Sequence, residues 1–326
     1  MKDGYQREIN YLRLSITDRC NLRCVYCMPP EGVSFVPHSE ILTFEEICRV
    51  VGAATRLGVK KVRLTGGEPL VRQGLTELVG KLAAIPEIDD LAMTTNGLLL
   101  AEKAAALKAA GLRRVNISLD TLKPERYRWI TRGGKLARAW RGIEAALELD
   151  LQPVKLNTVV VRGFNDDEVI ALAALSLERP LHVRFIELMP VGTADGWASE
   201  RYISSGELMD LIARRLGRLQ EVRKLSGSGP ARYYRLDGAA GTIGFISAVS
   251  DHFCARCNRL RLTATGGLRP CLFDQREIDI KAALRRGAGP DELAGLIERA
   301  VHEKPDRHHM VDGWHDRNRI MSQIGG

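Results

Sequence analysis

The 326-residue chain lacks any apolar run approaching the roughly 20 residues needed to cross a bilayer. Its opening, Met1-Lys2-Asp3-Gly4, lacks the apolar stretch of a secretory signal, so a cytoplasmic location and no membrane partner are expected. It has no dedicated basic arm or block. Lys and Arg outnumber Asp and Glu by 48 to 40, a formal charge of +8, but the cations are scattered as on a solvated surface. That excess suits an anionic ligand such as a nucleotide, while nucleic acid is not expected. Internal repeats and long linkers are missing. With 45% hydrophobic and 27% charged residues the chain can bury a full core. Cysteines are few and odd in number: seven, at Cys20, Cys24, Cys27, Cys48, Cys254, Cys257 and Cys271. An odd count in a chain without a signal argues against a disulfide framework. Cys48 stands alone in a helical pattern and reads as a small buried apolar residue.

What the sequence does contain is alternation. Asn10 to Thr17 has the period of a strand, and Thr43-Phe44-Glu45-Glu46 is a capping box opening a helix toward Leu57. Strand patterns recur at Val62–Thr65, Leu91–Thr95, Val115–Leu119, Val154–Val161 and His182–Glu187. Helical patterns lie between them, at 73–84, at 101–110 (stopped by Gly111), in a stretch ending near Leu149, and at 166–177. Six βα units predict a parallel sheet with helices outside it. Six are too few for a closed eight-stranded barrel. The expected fold is α/β, a partial (βα)6 barrel over residues 1–194. A smaller α+β region, 195–326, would cover the open side with a helix at 205–216, strands at 233–236 and 242–249, and helices near Ile280 and Leu293. Chemistry in such folds gathers at the C-terminal strand ends. Polar groups do lie there: Thr65-Gly66-Gly67-Glu68-Pro69, Thr94-Thr95-Asn96-Gly97, Ser118-Leu119-Asp120, Asn157 with Lys155, and Glu187-Leu188-Met189-Pro190. Any one of these could be ordinary turn chemistry. Five together predict a shared cavity.

Two cysteine groups carry the sharpest signal. Cys20-x3-Cys24-x2-Cys27 follows the first strand, and Cys254-x2-Cys257-x13-Cys271 spans a predicted hairpin. Structural zinc would want a fourth ligand, for which His38 or His252 is conceivable. An iron–sulphur cluster on three cysteines keeps one iron open for a small molecule. Arg259 and Arg261 alternate on a strand beside Cys257, so they share a face that suits an anion or a purine edge.

The first cysteine loop, with Tyr26 before its last cysteine and Gly66-Gly67-Glu68-Pro69 after the next strand, resembles the radical S-adenosylmethionine (SAM) superfamily. Alone, the glycine pair reads as room for backbone to approach a ligand. The segments 12–20, 94–97, 116–120 and 184–189, the second cysteine group and Gly325-Gly326 are similar to the GTP 3′,8-cyclase family, and this likeness spans essentially the whole chain. The resemblance implies two [4Fe–4S] clusters, on Cys20, Cys24 and Cys27 and on Cys254, Cys257 and Cys271. It implies a SAM pocket of Tyr26, Gly67, Ser118, Arg184 and Met189. It implies GTP contacts from Arg13, Arg63, Thr94, Lys155, Arg259 and Arg261, with the last two assisting at the second cluster and the glycine tail reaching the site. The implied reaction is a lyase-type radical cyclisation of GTP that opens molybdenum cofactor biosynthesis. An electron donor such as a flavodoxin or ferredoxin system is implied, with cyclic pyranopterin monophosphate synthase as product acceptor and room for a homodimer. Two other readings stay open at this point: a different radical SAM enzyme with an auxiliary cluster, and an iron–sulphur nucleic-acid binder.

Overall fold

The computed structural model describes residues 1–189, 200–222, 229–308, 319 and 321–324. Six parallel strands form its centre: β1 (Tyr11–Ser15), β2 (Lys61–Thr65), β3 (Asp90–Thr95), β4 (Arg114–Ser118), β5 (Val154–Val160) and β6 (Leu181–Glu187). Between them run α1 (Phe44–Arg56), α2 (Leu75–Ala83), α3 (Leu100–Ala109), α4 (Pro124–Ile130), α5 (Leu136–Glu148) and α6 (Val169–Glu178). The capping box at α1 is formed as its sequence requires: Glu46 N–H donates to Thr43 Oγ1 at 3.1 Å, and Thr43 N–H donates to Glu46 Oε2 at 2.8 Å.

The strands alternate in an unusual sense. One face carries Leu12, Leu14, Val62, Leu64, Met93, Val115, Ile117, Leu156, Val183 and Phe185, all fully buried in one core with the apolar stripes of the helices. Each such side chain contributes roughly 1.5–3 kcal/mol by leaving water. The opposite face is polar. Register sets Arg13 beside Arg63 and Arg261, Asn116 beside Thr94 and Lys155, and Asn157 beside Ser118 and Arg184. A barrel lumen normally fills with branched apolar residues. Here it holds cations and amides, and it stays hollow.

The later strands do not make a separate sheet. After α7 (Ser205–Leu216) come β7 (Gln220–Val222), β8 (Arg232–Arg235) and β9 (Thr242–Ile246), and β9 pairs parallel to β6. Then β10 (Arg259–Leu262) pairs parallel to β1 at the far edge, followed by β11 (Gly267–Arg269) and β12 (Ile278–Asp279). The result is one open twelve-stranded sheet, extended at both edges by the C-terminal region. Helices α8 (Ile280–Arg285), α9 (Pro290–His302) and the short α10 (Met321–Ile324) complete the chain. The expected boundary at 194/195, Pro190 and Gly325-Gly326 lie outside the described residues.

Two local expectations are corrected. The helical stretch ending near Leu149 is two helices, broken where Arg132 and Gly133 take positive φ (51° and 119°). The strand expected to reach Val249 stops at Ile246, because the N–H groups of Val249 and Ser250 turn to donate to Glu187 Oε2 at the end of β6 (2.8 and 2.9 Å).

Candidate active site

Cys20, Cys24 and Cys27 lie on the loop after β1, all free thiols. Cys27 N–H donates to the Cys24 carbonyl at 2.9 Å, closing a tight turn. The loop is strapped to the end of α4: Arg23 N–H donates to Thr131 O (3.1 Å) and Val25 N–H to Ile130 O (2.9 Å). The helix break serves this strap, since Arg132 Nη1 reaches the carbonyls of Arg23 and Met28 at 3.0 and 2.7 Å.

The glycine pair, which lines the chamber at the strand ends, also has a packing role. A Cβ on Gly66 would lie 2.4 Å from Thr17 O, and on Gly67 2.2 Å from Arg19 O. The pair makes room for the cysteine loop's own backbone, tied by Gly67 N–H to Thr17 O and Glu68 N–H to Arg19 O, both 2.8 Å. Glu68 then locks β3 to this platform, accepting from Thr95 Oγ1 and Asn96 N–H at 2.7 Å and from Leu70 N–H at 3.0 Å. Burial still pushes its carboxyl up to about 7.

These strand ends face one chamber. Its walls include the three thiols, Tyr26, Gly67, Glu68, Ser118, Asp120 and Met189. Tyr26 donates to Asp120 Oδ2 at 2.7 Å, and burial raises the Asp120 carboxyl to about 6. Burial, the neighbouring thiols and Asp120 hold Cys24 well above its ordinary pKa, while Cys20 and Cys27 are pushed to about 11 and about 12, mainly by burial.

A second chamber lies deeper in the lumen. It is lined by Cys254, Cys257 and Cys271 together with Arg13, Arg63, Thr94, Arg184, Arg259 and Arg261. Cys257 N–H donates to Cys254 O at 3.0 Å, repeating the turn of the first loop. Burial works against the Cys257 thiolate, but Arg259 and Lys304 outweigh it and bring the thiol down to about 6. Arg259 Nη2 stands 3.8 Å from its sulfur. Arg63 Nε, Arg184 Nε and Asn157 Oδ1 are buried without a hydrogen-bond partner. Such groups cost stability until a ligand satisfies them. With its amide oxygen turned toward them, Asn116 accepts from Arg63 Nη1 (2.5 Å) and Arg184 Nη2 (3.1 Å).

Arg184 lines the cationic chamber together with Met189, which Tyr26, Gly67 and Ser118 join in the other. It lies one inward rung below Ile186, short of the strand end. Lys155 is 2% exposed and lies one rung below Asn157, beneath the residues that line the chambers. Burial first, then Arg184, Arg114 and Arg63, lower its ammonium to about 6. The sequence reading missed Asn116, Lys304, Met321 and Ser322. Asn116 was findable from the polar alternation of β4; the others lie far along the chain. His252, weighed as a zinc ligand, packs against His308 with ring centroids 5.3 Å apart, and His38 is exposed. Among the described residues no three His, Cys, Asp or Glu side chains converge on one ion. A cluster asks for less convergence, because its thiolates bind different irons.

The two chambers share Thr94, Asn157, Ile186, Met189 and Met321, so they lie side by side.

Comparison with known proteins agrees with this layout. Residues 14–175 match the family model described as Radical SAM superfamily, and 181–310 match Molybdenum Cofactor Synthesis C. The chain is 66% identical to a protein named GTP 3′,8-cyclase from Pelotomaculum thermopropionicum and 57% identical to one of the same name from Desulforamulus reducens, covering 100% of both chains in each case. Among solved structures, SuiB of Streptococcus suis bound to its precursor peptide SuiA superposes with a TM-score of 0.58 at 15% identity, over 90% of this chain and 67% of that one, a likeness of fold.

Proposed function

The chain belongs to the GTP 3′,8-cyclase family of the radical SAM superfamily, and from that premise we propose a division of labour between its two chambers. It is an enzyme of the first step of molybdenum cofactor biosynthesis, converting GTP to (8S)-3′,8-cyclo-7,8-dihydroguanosine 5′-triphosphate. Cys20, Cys24 and Cys27 would hold one [4Fe–4S] cluster, and Cys254, Cys257 and Cys271 a second. SAM takes the chamber of Tyr26, Gly67, Ser118 and Met189, with Arg184 below it. Its cationic sulfonium suits a wall carrying Asp120 and Glu68. GTP takes the chamber of Arg13, Arg63, Thr94, Arg259 and Arg261, with Lys155 beneath. A triphosphate of about four negative charges wants several paired cations.

When held by Cys20, Cys24 and Cys27, the first cluster would with SAM supply the one-electron chemistry that removes hydrogen from ribose C3′, and one further electron and a proton would complete the product once C3′ is bonded to guanine C8. The chain's own residues position and enclose. The arginines fix the triphosphate, the second triad holds the guanine end, and the shared walls set ribose against SAM.

The carrying observation is that adjacency: Thr94, Asn157, Ile186, Met189 and Met321 line both chambers, so molecules bound in the two would be neighbours. The domain division at 194/195 belongs to the same proposal, with one cysteine triad to each part. So do a cytoplasmic location, a flavodoxin- or ferredoxin-type electron donor, hand-over to cyclic pyranopterin monophosphate synthase, and a homodimer. No helix of the described residues is long and apolar enough to cross a membrane. The test is anaerobic reconstitution followed by SAM and each nucleoside triphosphate in turn. About eight irons per chain and a cyclised product from GTP alone are expected. Stoichiometric zinc without iron-dependent absorbance would falsify the cluster assignment.

A further inference from the structure

A hook at the start of the chain ends in the second cysteine site. Asp3 and Arg7 are 3% and 7% exposed. Asp3 Oδ1 accepts from the N–H groups of Tyr5 and Arg7, and Oδ2 from Arg7 Nε at 2.6 Å. Gln6 takes a positive φ of 63° to make this turn. The remaining arms of the guanidinium leave the hook. Arg7 Nη1 donates to the carbonyls of Cys254 (2.9 Å) and Asp306 (2.7 Å), and Nη2 to Pro305 O (2.7 Å).

A second buried cation stands beside it. Lys304, 3% exposed, donates from Nζ to Arg259 O at 2.9 Å and to Pro270 O at 2.6 Å. Arg259 is two residues past Cys257, and Pro270 immediately precedes Cys271. Two buried cations thus grip one carbonyl within two residues of each of the three thiol-bearing positions.

We infer that Arg7 and Lys304 are positioning residues of the second triad, so that the first seven residues of the chain form part of that site. Burying two cations costs free energy, and a buried ion pair is weak support for stability in itself. What the arrangement does secure is the relative placement of three arms that are remote in sequence. An iron–sulphur core with three thiolates is anionic, and cations behind the loops offset that charge. Outer groups of this kind tune metal sites nearly as strongly as ligands do. The inference rests on the two-cluster reading above.

The test uses the anaerobically reconstituted full chain and three variants, Arg7→Met, Arg7→Lys and Lys304→Met. Iron per chain, the electron paramagnetic resonance spectrum with and without GTP, and GTP-independent SAM cleavage by dithionite are read on one preparation of each. Arg7→Met should hold about four irons in place of about eight, with the GTP-sensitive signal gone. Its GTP-independent SAM cleavage should stay within about twofold of the parent. Arg7→Lys, which keeps the charge and can reach two carbonyls, should regain most of the lost iron, and Lys304→Met should lose the same half. A full iron complement and unchanged GTP-shifted spectrum in Arg7→Met and Lys304→Met would overturn the inference. So would loss of iron from both sites in Arg7→Met and Lys304→Met, which would mark the clasp as general support of the fold. If the parent itself holds only about four irons, the two-cluster reading has failed, and the inference falls with it.

Discussion

The two thiol triads are built on the same tight turn, Cys24 to Cys27 and Cys254 to Cys257, and line adjacent chambers, yet their electrical surroundings are opposed. The first is walled by Glu68, Asp120 and three thiols that burial raises. The second is walled by Arg13, Arg63, Arg184, Arg259 and Arg261, and Cys257 is held near 6 against the pull of burial. Their supports differ as well. Half-buried Arg23 and Arg132 strap the first loop through the carbonyls of Cys20, Leu22, Arg23 and Met28, whereas buried Arg7 and Lys304 strap the second. The lesson is that one motif can be told to take a cation or an anion by the strands around it. A sulfonium and a triphosphate would each be repelled from the wrong chamber.

The sharpest way to break the comparison is to delete one triad at a time. Cys24→Ala should abolish SAM cleavage altogether. Cys257→Ala should keep it and lose the cyclised product. Normal product from Cys257→Ala, assayed by chromatography after anaerobic turnover, would reduce the second triad to a structural element. Next in size is the glycine platform. Gly67→Ala places a methyl 2.2 Å from Arg19 O, a backbone atom that can yield only by moving the cysteine loop. We expect about 1–3 kcal/mol of strain, seen as iron lost selectively from the first site, with GTP affinity retained. A third test removes one cation. Arg261→Ala should weaken GTP binding by about 1.5–3 kcal/mol, roughly ten- to a hundredfold, with SAM affinity unchanged. Equal losses for both ligands in calorimetry would show that the chambers are not electrically separate.

The smallest effect concerns Lys155. Buried beneath the cationic chamber, its ammonium titrates near 6, so at pH 7.5 it is mostly neutral. A bound polyanion favours the charged form and raises that value, so GTP binding should take up a proton. Affinity should then fall as pH rises above 6, by at most about tenfold per unit, until the raised value is passed. Calorimetry in buffers of different ionisation enthalpy measures the uptake, and Lys155→Met should remove it.

Much of this site was legible because its chemistry is local. The spacing of Cys20, Cys24 and Cys27, and the polar residues at five strand ends, are readable within a few positions of one another. The hollow lumen was also written in the alternation of Arg13, Arg63, Asn116, Lys155 and Arg184, but a strand pattern does not say which face looks inward. Arg184 and Lys155 were named by likeness, and only the register shows that both lie a rung below the strand ends. The glycine pair was read as room for a ligand, because nothing local shows that Thr17 and Arg19 lie against it. Arg7 and Lys304 were invisible. In sequence each is a lone cation, and only contacts across 247 residues for Arg7 and 45 for Lys304 tie it to the second triad.

The pairing of β1 with β10 also sets a timetable. Asn10 meets Asn258 across 248 residues. At a synthesis rate of about 5–20 residues per second, the ribosome needs roughly 12–50 s to make that stretch. For that interval the first thiol loop has left the ribosome while its neighbouring strand has one edge uncovered. A nascent chain thus offers one trio of thiols well before the other, an order set by the order of the strands.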